Sequence, residues 1–444
     1  MKLTPKQREQ LARPRPVLFT IIIGTICLPW GLLFGANVYL QQQQPQLDAQ
    51  SASFFDQTPV HHTNLAARRF DELGAQLGLG PNATYQNPIF VDTAAAQSFQ
   101  TIETSLSQFL EAQSNKISGP LDPLPPELQQ FFQAYQPIID QLQSYLLTGA
   151  IPQWEMDIEQ MADTSYQAPG FFNVRSVHKL LLISAVQAHS QNNPQQALDA
   201  LEASWLLNQA IVQRSDLSSQ ISVSVISAQQ AGLLRHISNV PPHWQPRLIA
   251  LSQQQPVIKG VRFEAWLRYE IAKSGWIPIL VPAETASMGE RLQASIANSF
   301  SLQAYFKLLT VNRTRTAHKA LVQLTESTIC DRSQTDMEAH LTNIRTAKWN
   351  GDTAISPVIT AKRWQTAGDR TLALELSQYV LEIKQKLAKD GQWPSTYPSK
   401  PSQVCPGEHW HYQQTDSGIL LSFSKQLLSP TAIPLIYRSR SVSL

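Results

Sequence analysis

Charge is scarce in this chain. Only 15% of its 444 residues are Asp, Glu, Lys or Arg, against roughly 25% in typical soluble proteins, and the formal balance is +2. There is no long basic stripe interleaved with aromatics, which argues against a nucleic-acid partner. Cysteine is rarer still, with three residues at 27, 330 and 405, too far apart for a CxxC metal or redox motif. The 18 glycines form neither a Walker nor a dinucleotide fingerprint, and no HExxH or GxSxG segment occurs. These absences remove the common signatures of nucleotide-dependent, zinc-dependent and serine-nucleophile enzymes, and no cofactor is expected. Long apolar runs are lacking too, with one exception.

That exception is residues 17–40, VLFTIIIGTICLPWGLLFGANVYL. At about 1.5 Å per residue it is long enough to span a hydrocarbon core of roughly 30 Å, whereas the apolar part of a cleaved signal ends after about 7 to 15 residues. The run is therefore expected to be a transmembrane anchor. Before it, Lys2, Lys6, Arg8, Arg13 and Arg15 oppose a single acid, Glu9, and the next basic residue beyond it is Arg68. This asymmetry predicts a cytoplasmic tail over 1–16 and an exported body. Gly31 and Gly35 match the small-xxx-small spacing that lets membrane helices pair, so a homo-oligomer is one expectation. Residues 41–60, rich in Gln and broken by Pro45 and Pro59, read as a linker.

Residues 61–368 are expected to be a helical body. Apolar positions recur at helical spacing over 62–79, 93–114, 126–147, 174–191, 195–213, 217–238, 259–274, 290–325 and 335–349, separated by proline-rich breaks such as 119–126. The clearest stripe is Val177, Leu180, Leu181, Ser184, Ala185 and Ala188. Asn193 is the expected N-cap of the next helix, with Pro194 in its first turn. Ser215 is the expected cap of the helix after that, although the alternation over 221–226 also suits a strand. Trp205 is expected in the core, and its size also makes it a candidate interaction residue. On the charged helix over 262–270, Glu264 and Arg268 stand at the i, i+4 pairing distance; a solvated surface ion pair is the expectation, and lining a cleft is the alternative.

From 369 onward an amphipathic helix carrying Leu372, Leu376, Tyr379, Val380, Ile383 and Leu387 should end at Gly391, followed by a hairpin. In that hairpin Trp410 and Tyr412 alternate in phase with Ile419, Leu421 and Phe423, giving one buried face. The fold class expected is mainly α, with a C-terminal cap over 369–444. His409 and His411 fall on one strand face, where two imidazoles could take part in a metal site. The even pair Cys330 and Cys405, exported to an oxidising compartment, is expected to form a disulfide.

The segment AHSQNNPQQALDALEASWLLNQA over 188–210 resembles one tetratricopeptide unit, without a second copy at that period. More broadly, the pattern over 174–270 resembles the helical bodies of uncharacterised bacterial signal-anchored envelope proteins. The helix, Gly-x-x-Pro and hairpin order after 369 resembles the globular part of pilins and pseudopilins. These resemblances imply a single-pass protein of the bacterial inner membrane or thylakoid membrane, with its body periplasmic or lumenal. The expected role is a scaffold or interaction module for an unidentified membrane or envelope protein. A periplasmic hydrolase with a site near 405–411 is the alternative.

Overall fold

The computed structural model describes residues 16–58, 62–156, 161, 171–253, 255–273, 300–346, 356–416, 418–428 and 433–440. Its helices are α1 (Pro16–Asp56), α2 (Leu65–Gln76), α3 (Thr93–Ser114), α4 (Pro126–Thr148), α5 (Phe172–Ser190), α6 (Pro194–Val212), α7 (Leu217–Leu234), α8 (Trp244–Gln253), α9 (Pro256–Lys273), α10 (Phe300–Glu326), α11 (Gln334–Thr346) and α12 (Pro357–Asp390). Strands β1 (Lys400–Pro401), β2 (His409–Thr415), β3 (Gly418–Phe423) and β4 (Ile436–Arg440) form one antiparallel sheet in that order. The chain is thus mainly helical with a small C-terminal sheet. The 3.6-residue apolar period placed most helices within a few residues of where they lie; α8 was not anticipated.

The caps follow local chemistry. The side chain of Asn193 accepts a hydrogen bond from the Gln196 amide at 3.2 Å, with Pro194 opening α6. The cap of α7 is Asp216 rather than Ser215: its carboxylate accepts from the Ser219 amide at 2.9 Å. Residues 221–226 lie inside that helix, and Val223 and Ile226 are buried. A helix whose neighbours cover every side needs no amphipathic period, so the alternation there was uninformative. The stripe from Val177 to Ala188 is buried throughout, in the core that α2–α8 share.

The 41–60 stretch corrects the linker expectation. Residues 41–56 continue the helix that begins at Pro16, passing through Pro45 without a break. Tertiary contacts outweigh the proline cost. Leu40 and Leu47 are buried against Trp266 and Tyr269 of α9 and Val311 of α10. Ser51 donates to Glu270 at 2.7 Å, Tyr269 donates to Asp48 at 3.1 Å, and Arg315 donates to Tyr39 at 2.6 Å. Among the described residues no helix is long and apolar enough to cross a membrane. The side chains of 16–30, which carry most of the apolar run, lie outside that description.

The boundary expected at 368/369 falls inside α12. This helix stands between two cores. Leu374 and Leu381 enter the core of α2–α8, while Leu372, Leu376, Tyr379, Val380 and Ile383 enter a second core shared with α9–α11 and the sheet. In that sheet Trp410 pairs with Phe423, Tyr412 with Leu421 and Gln414 with Ile419. Trp410, Leu421 and Ile419 are buried on the α12 side, in the phase the alternation indicated.

Candidate cationic cleft

Where α5, α7, α9 and α12 meet, a cleft of about 940 Å³ opens. Its floor is set by a close helix crossing. A Cβ on Gly260 of α9 would lie 2.8 Å from the Leu217 Cα of α7, so only glycine lets the two backbones approach this far. Leu217, Ile221 and Val257 line the apolar part, extended by Val358 and Ile359 in the first turn of α12, which are half exposed.

The remainder of the lining is polar and mostly cationic. Lys362, Thr366 and Arg370 succeed one another at four-residue intervals along α12, with Arg363 beside them. Arg175 comes from the first turn of α5 and Arg268 from α9. Five cations therefore face a cleft with one lining carboxylate, Glu264, in a chain where charge is sparse. Glu264 lies 3.8 Å from Arg268. Burial raises its carboxyl above the usual range, Arg268 and Arg363 oppose that, and Asp216 adds to it. Among the described residues, no carboxylate stands within ion-pair distance of Arg175, Lys362, Arg363 or Arg370. Burial pushes the Arg370 guanidinium down to about 10, neighbouring Arg175 pushes the same way, and Asp369 and Glu111 oppose them. Asp369, next in sequence, accepts from Gln365 at 3.0 Å, and burial raises its carboxyl to about 6.

The helix over 262–270 thus does contribute Glu264 and Arg268 to a cleft. The other four cations escaped sequence reasoning. With α12 read as starting at 369, the Lys362–Thr366–Arg370 stripe was cut in two, and Arg175 sits some 190 residues away in sequence.

The other expected residues lie elsewhere. Trp205 is buried, edge-on to Trp244 with ring centres 5.8 Å apart and Arg247 over its face at 5.0 Å, as a core residue. Gly31 and Gly35 are exposed, and a Cβ at either would meet nothing within 4 Å. Cys330 and Cys405 stand at disulfide distance, with Cα atoms 5.7 Å apart. His409 and His411 share the exposed face of β2, and among the described residues no group of three or more His, Cys, Asp or Glu could hold a metal. The 405–411 segment presents no paired nucleophile and base: Cys405 is at disulfide distance from Cys330, and Glu408 accepts from Ser424 at 2.7 Å and pairs with Lys425 at 3.4 Å. The nearest carboxylate to that segment in the core, Glu375, is taken up by four donors. It accepts from the Ser402 hydroxyl at 2.8 Å, the Gln403 and Val404 amides at 2.7 and 3.0 Å, and the Trp410 indole at 3.1 Å.

Comparison of the chain with family models, curated proteins and solved structures returned no match. The cleft is therefore read from its own chemistry.

Proposed function

We propose that this protein is a single-pass, membrane-anchored interaction module. Residues 17–40 would cross a bacterial inner or thylakoid membrane, and the helical body outside the cytoplasm would present the α5–α9–α12 cleft to another component of the envelope. The observation carrying this reading is the change of environment along α1. Phe34 is 73% exposed, whereas Leu40, less than two turns later, is 4% exposed. The body covers the helix from Tyr39 onward, whereas Gly31, Phe34, Gly35 and Val38 before it are exposed. Exposed positions in an apolar run that joins a packed segment without a break call for lipid, or for a second copy at Gly31 and Gly35, to cover them. The flanking excess of basic residues sets the direction of insertion. Because α1 docks on α9 and α10, the body would be held at a fixed height above the bilayer rather than on a flexible stalk.

Reporter fusions test the topology. A reporter active only outside the cytoplasm is expected to be active after Leu444 and silent before Met1. The opposite pattern, or release of the full chain from membranes by alkaline wash, would overturn the anchor.

A further inference from the structure

Four features of the cleft are costly in the free protein and point the same way. Arg370 and Arg175 repel one another across it; Asp369 and Glu111 attract Arg370, yet no carboxylate stands within ion-pair distance of either arginine among the described residues. Arg175 occupies the first turn of α5, where the helix dipole already presents its positive end, so a cation is disfavoured there. Arg370 is largely removed from water, which penalises its charge. Beside these guanidiniums, Val358 and Ile359 expose about half their surface to solvent on the same helix. An anion would relieve the first three, and an apolar group the fourth. Guanidinium forks match the two oxygens of a carboxylate or phosphate, so the anion indicated is an oxyanion. The volume of about 940 Å³ lies in the range of small-molecule sites, roughly 300 to 1,000 Å³, and does not call for a folded partner.

From this geometry we propose that the cleft binds a small amphiphilic acid, its carboxylate or phosphate head held between Arg175 and Arg370 and its apolar stem lying over Ile221, Val257 and Ile359. The proposal rests on the body being a binding module and is independent of how the chain is anchored. Hydrophobic lining alone would accept many apolar molecules; the paired arginines select those with an acidic head. Lys362 and Arg363, nearer the mouth, attract the ligand and add less specificity.

The test is calorimetric titration of the full chain, held in nanodiscs, with hexyl phosphate, hexanoate and inorganic phosphate. At least one hexyl acid is expected to bind tenfold or more tightly than inorganic phosphate, and comparison of the two identifies which head is preferred. Arg370→Gln should weaken that binding at least tenfold while changing the melting temperature little, because it removes the repulsion from Arg175 together with the attractions of Asp369 and Glu111. Arg175→Gln provides the same reading should Arg370→Gln fail to fold. Ile359→Ser should abolish the advantage of the hexyl chain and leave phosphate binding as it was. Absence of saturable binding to the unaltered chain would overturn the proposal, as would unchanged affinity in both arginine variants. A fall in melting temperature on Arg370→Gln without loss of affinity would make Arg370 a structural residue. A failed topology assay would leave these titrations unchanged, so the two ideas fail separately.

Discussion

At the scale of single residues, this protein places polar groups where they cannot be solvated. His178 is wholly buried, its Nδ1 2.9 Å from the Ser204 hydroxyl, which also accepts from Gln230 at 2.8 Å. Its Nε2 has no partner among the described residues. Burial pushes the imidazole down to about 3. A group whose folded pKa lies below its unfolded value stabilises the fold fully above the unfolded pKa, here near 6.5, and loses that contribution as pH falls towards 3. The loss is about 1.4 kcal/mol per pH unit for one such group. His236, also pushed down to about 3 by burial and by Arg235 and Lys384, acts with the same sign. Asp369 acts with the opposite sign: raised to about 6, it favours the fold at low pH and loses that contribution as pH rises through 6. Glu264 and Asp71, also raised by burial, act as Asp369 does, while His189 and His318, lowered by burial, join His178 and His236. The four histidines outweigh the three carboxyls, so stability should climb between pH 4 and 6. Replacing His178 with Leu should flatten that climb by close to one proton, measured as urea unfolding free energy against pH. An unchanged slope would place its proton uptake outside the folding equilibrium.

At the scale of elements, the lesson of α12 is the limit of reading one apolar face. Leu372, Leu376, Tyr379, Val380 and Ile383 form the stripe visible in sequence, and all five are buried in one core. Leu374 and Leu381 face another, so the helix is covered on two sides. Its N-terminal third was illegible for a local reason, since Gly368 and the Ser356–Pro357 pair look like breakers. Pro357 instead opens the helix, and Gly368 is there because a Cβ would lie 2.5 Å from Ile329. Likewise the Gln-rich half of α1 carries too few apolar residues to show a period, and what makes it helical is its docking on α9 and α10. The hairpin, by contrast, was legible because only one of its faces is buried, and period 2 then shows. Its edge strands β1 and β4 are too short to register. What joins hairpin to helix, Glu375, gave no sequence signal, since its four donors are 27 to 35 residues away. Glu375→Ala would strip the partner from two amides, a hydroxyl and an indole. Hydrogen bonds to a charged group contribute about 1.5 to 3 kcal/mol each, with partial compensation by water. A loss of about 3 kcal/mol or more is expected, read as a lowered melting temperature together with earlier proteolysis near 402–410. Unchanged melting would show that the cap is held from elsewhere.

At the scale of the whole molecule, α12 and the sheet are fastened to the other helices at several separate points. Tyr437 donates to the Arg235 carbonyl at 3.2 Å, the Arg438 amide of β4 donates to the Ile117 carbonyl at 2.8 Å, and Lys384 of α12 donates to the carbonyls of Arg235 and Ile237 at 2.6 and 3.0 Å. Cys330 and Cys405 add a further fastening, from the turn after α10 to the loop before β2. Both are buried, and their sequence separation is 75. Restricting a loop of that length in the unfolded chain stabilises the fold by about 4 kcal/mol in the chain-entropy account. Such a bond persists outside the cytoplasm and is reduced within it, so it agrees with the exported body proposed above. Thiol labelling of the unfolded chain, isolated from membranes without reductant, should therefore find one reactive cysteine, Cys27, and three after reduction. Replacing Cys330 and Cys405 together with Ser should lower the unfolding free energy by about the same 4 kcal/mol, less any native-state strain the bond carries. Three reactive thiols before reduction would remove the bridge. They would also remove one of two independent arguments for an exported body, leaving the charge asymmetry around residues 17–40 to carry it alone.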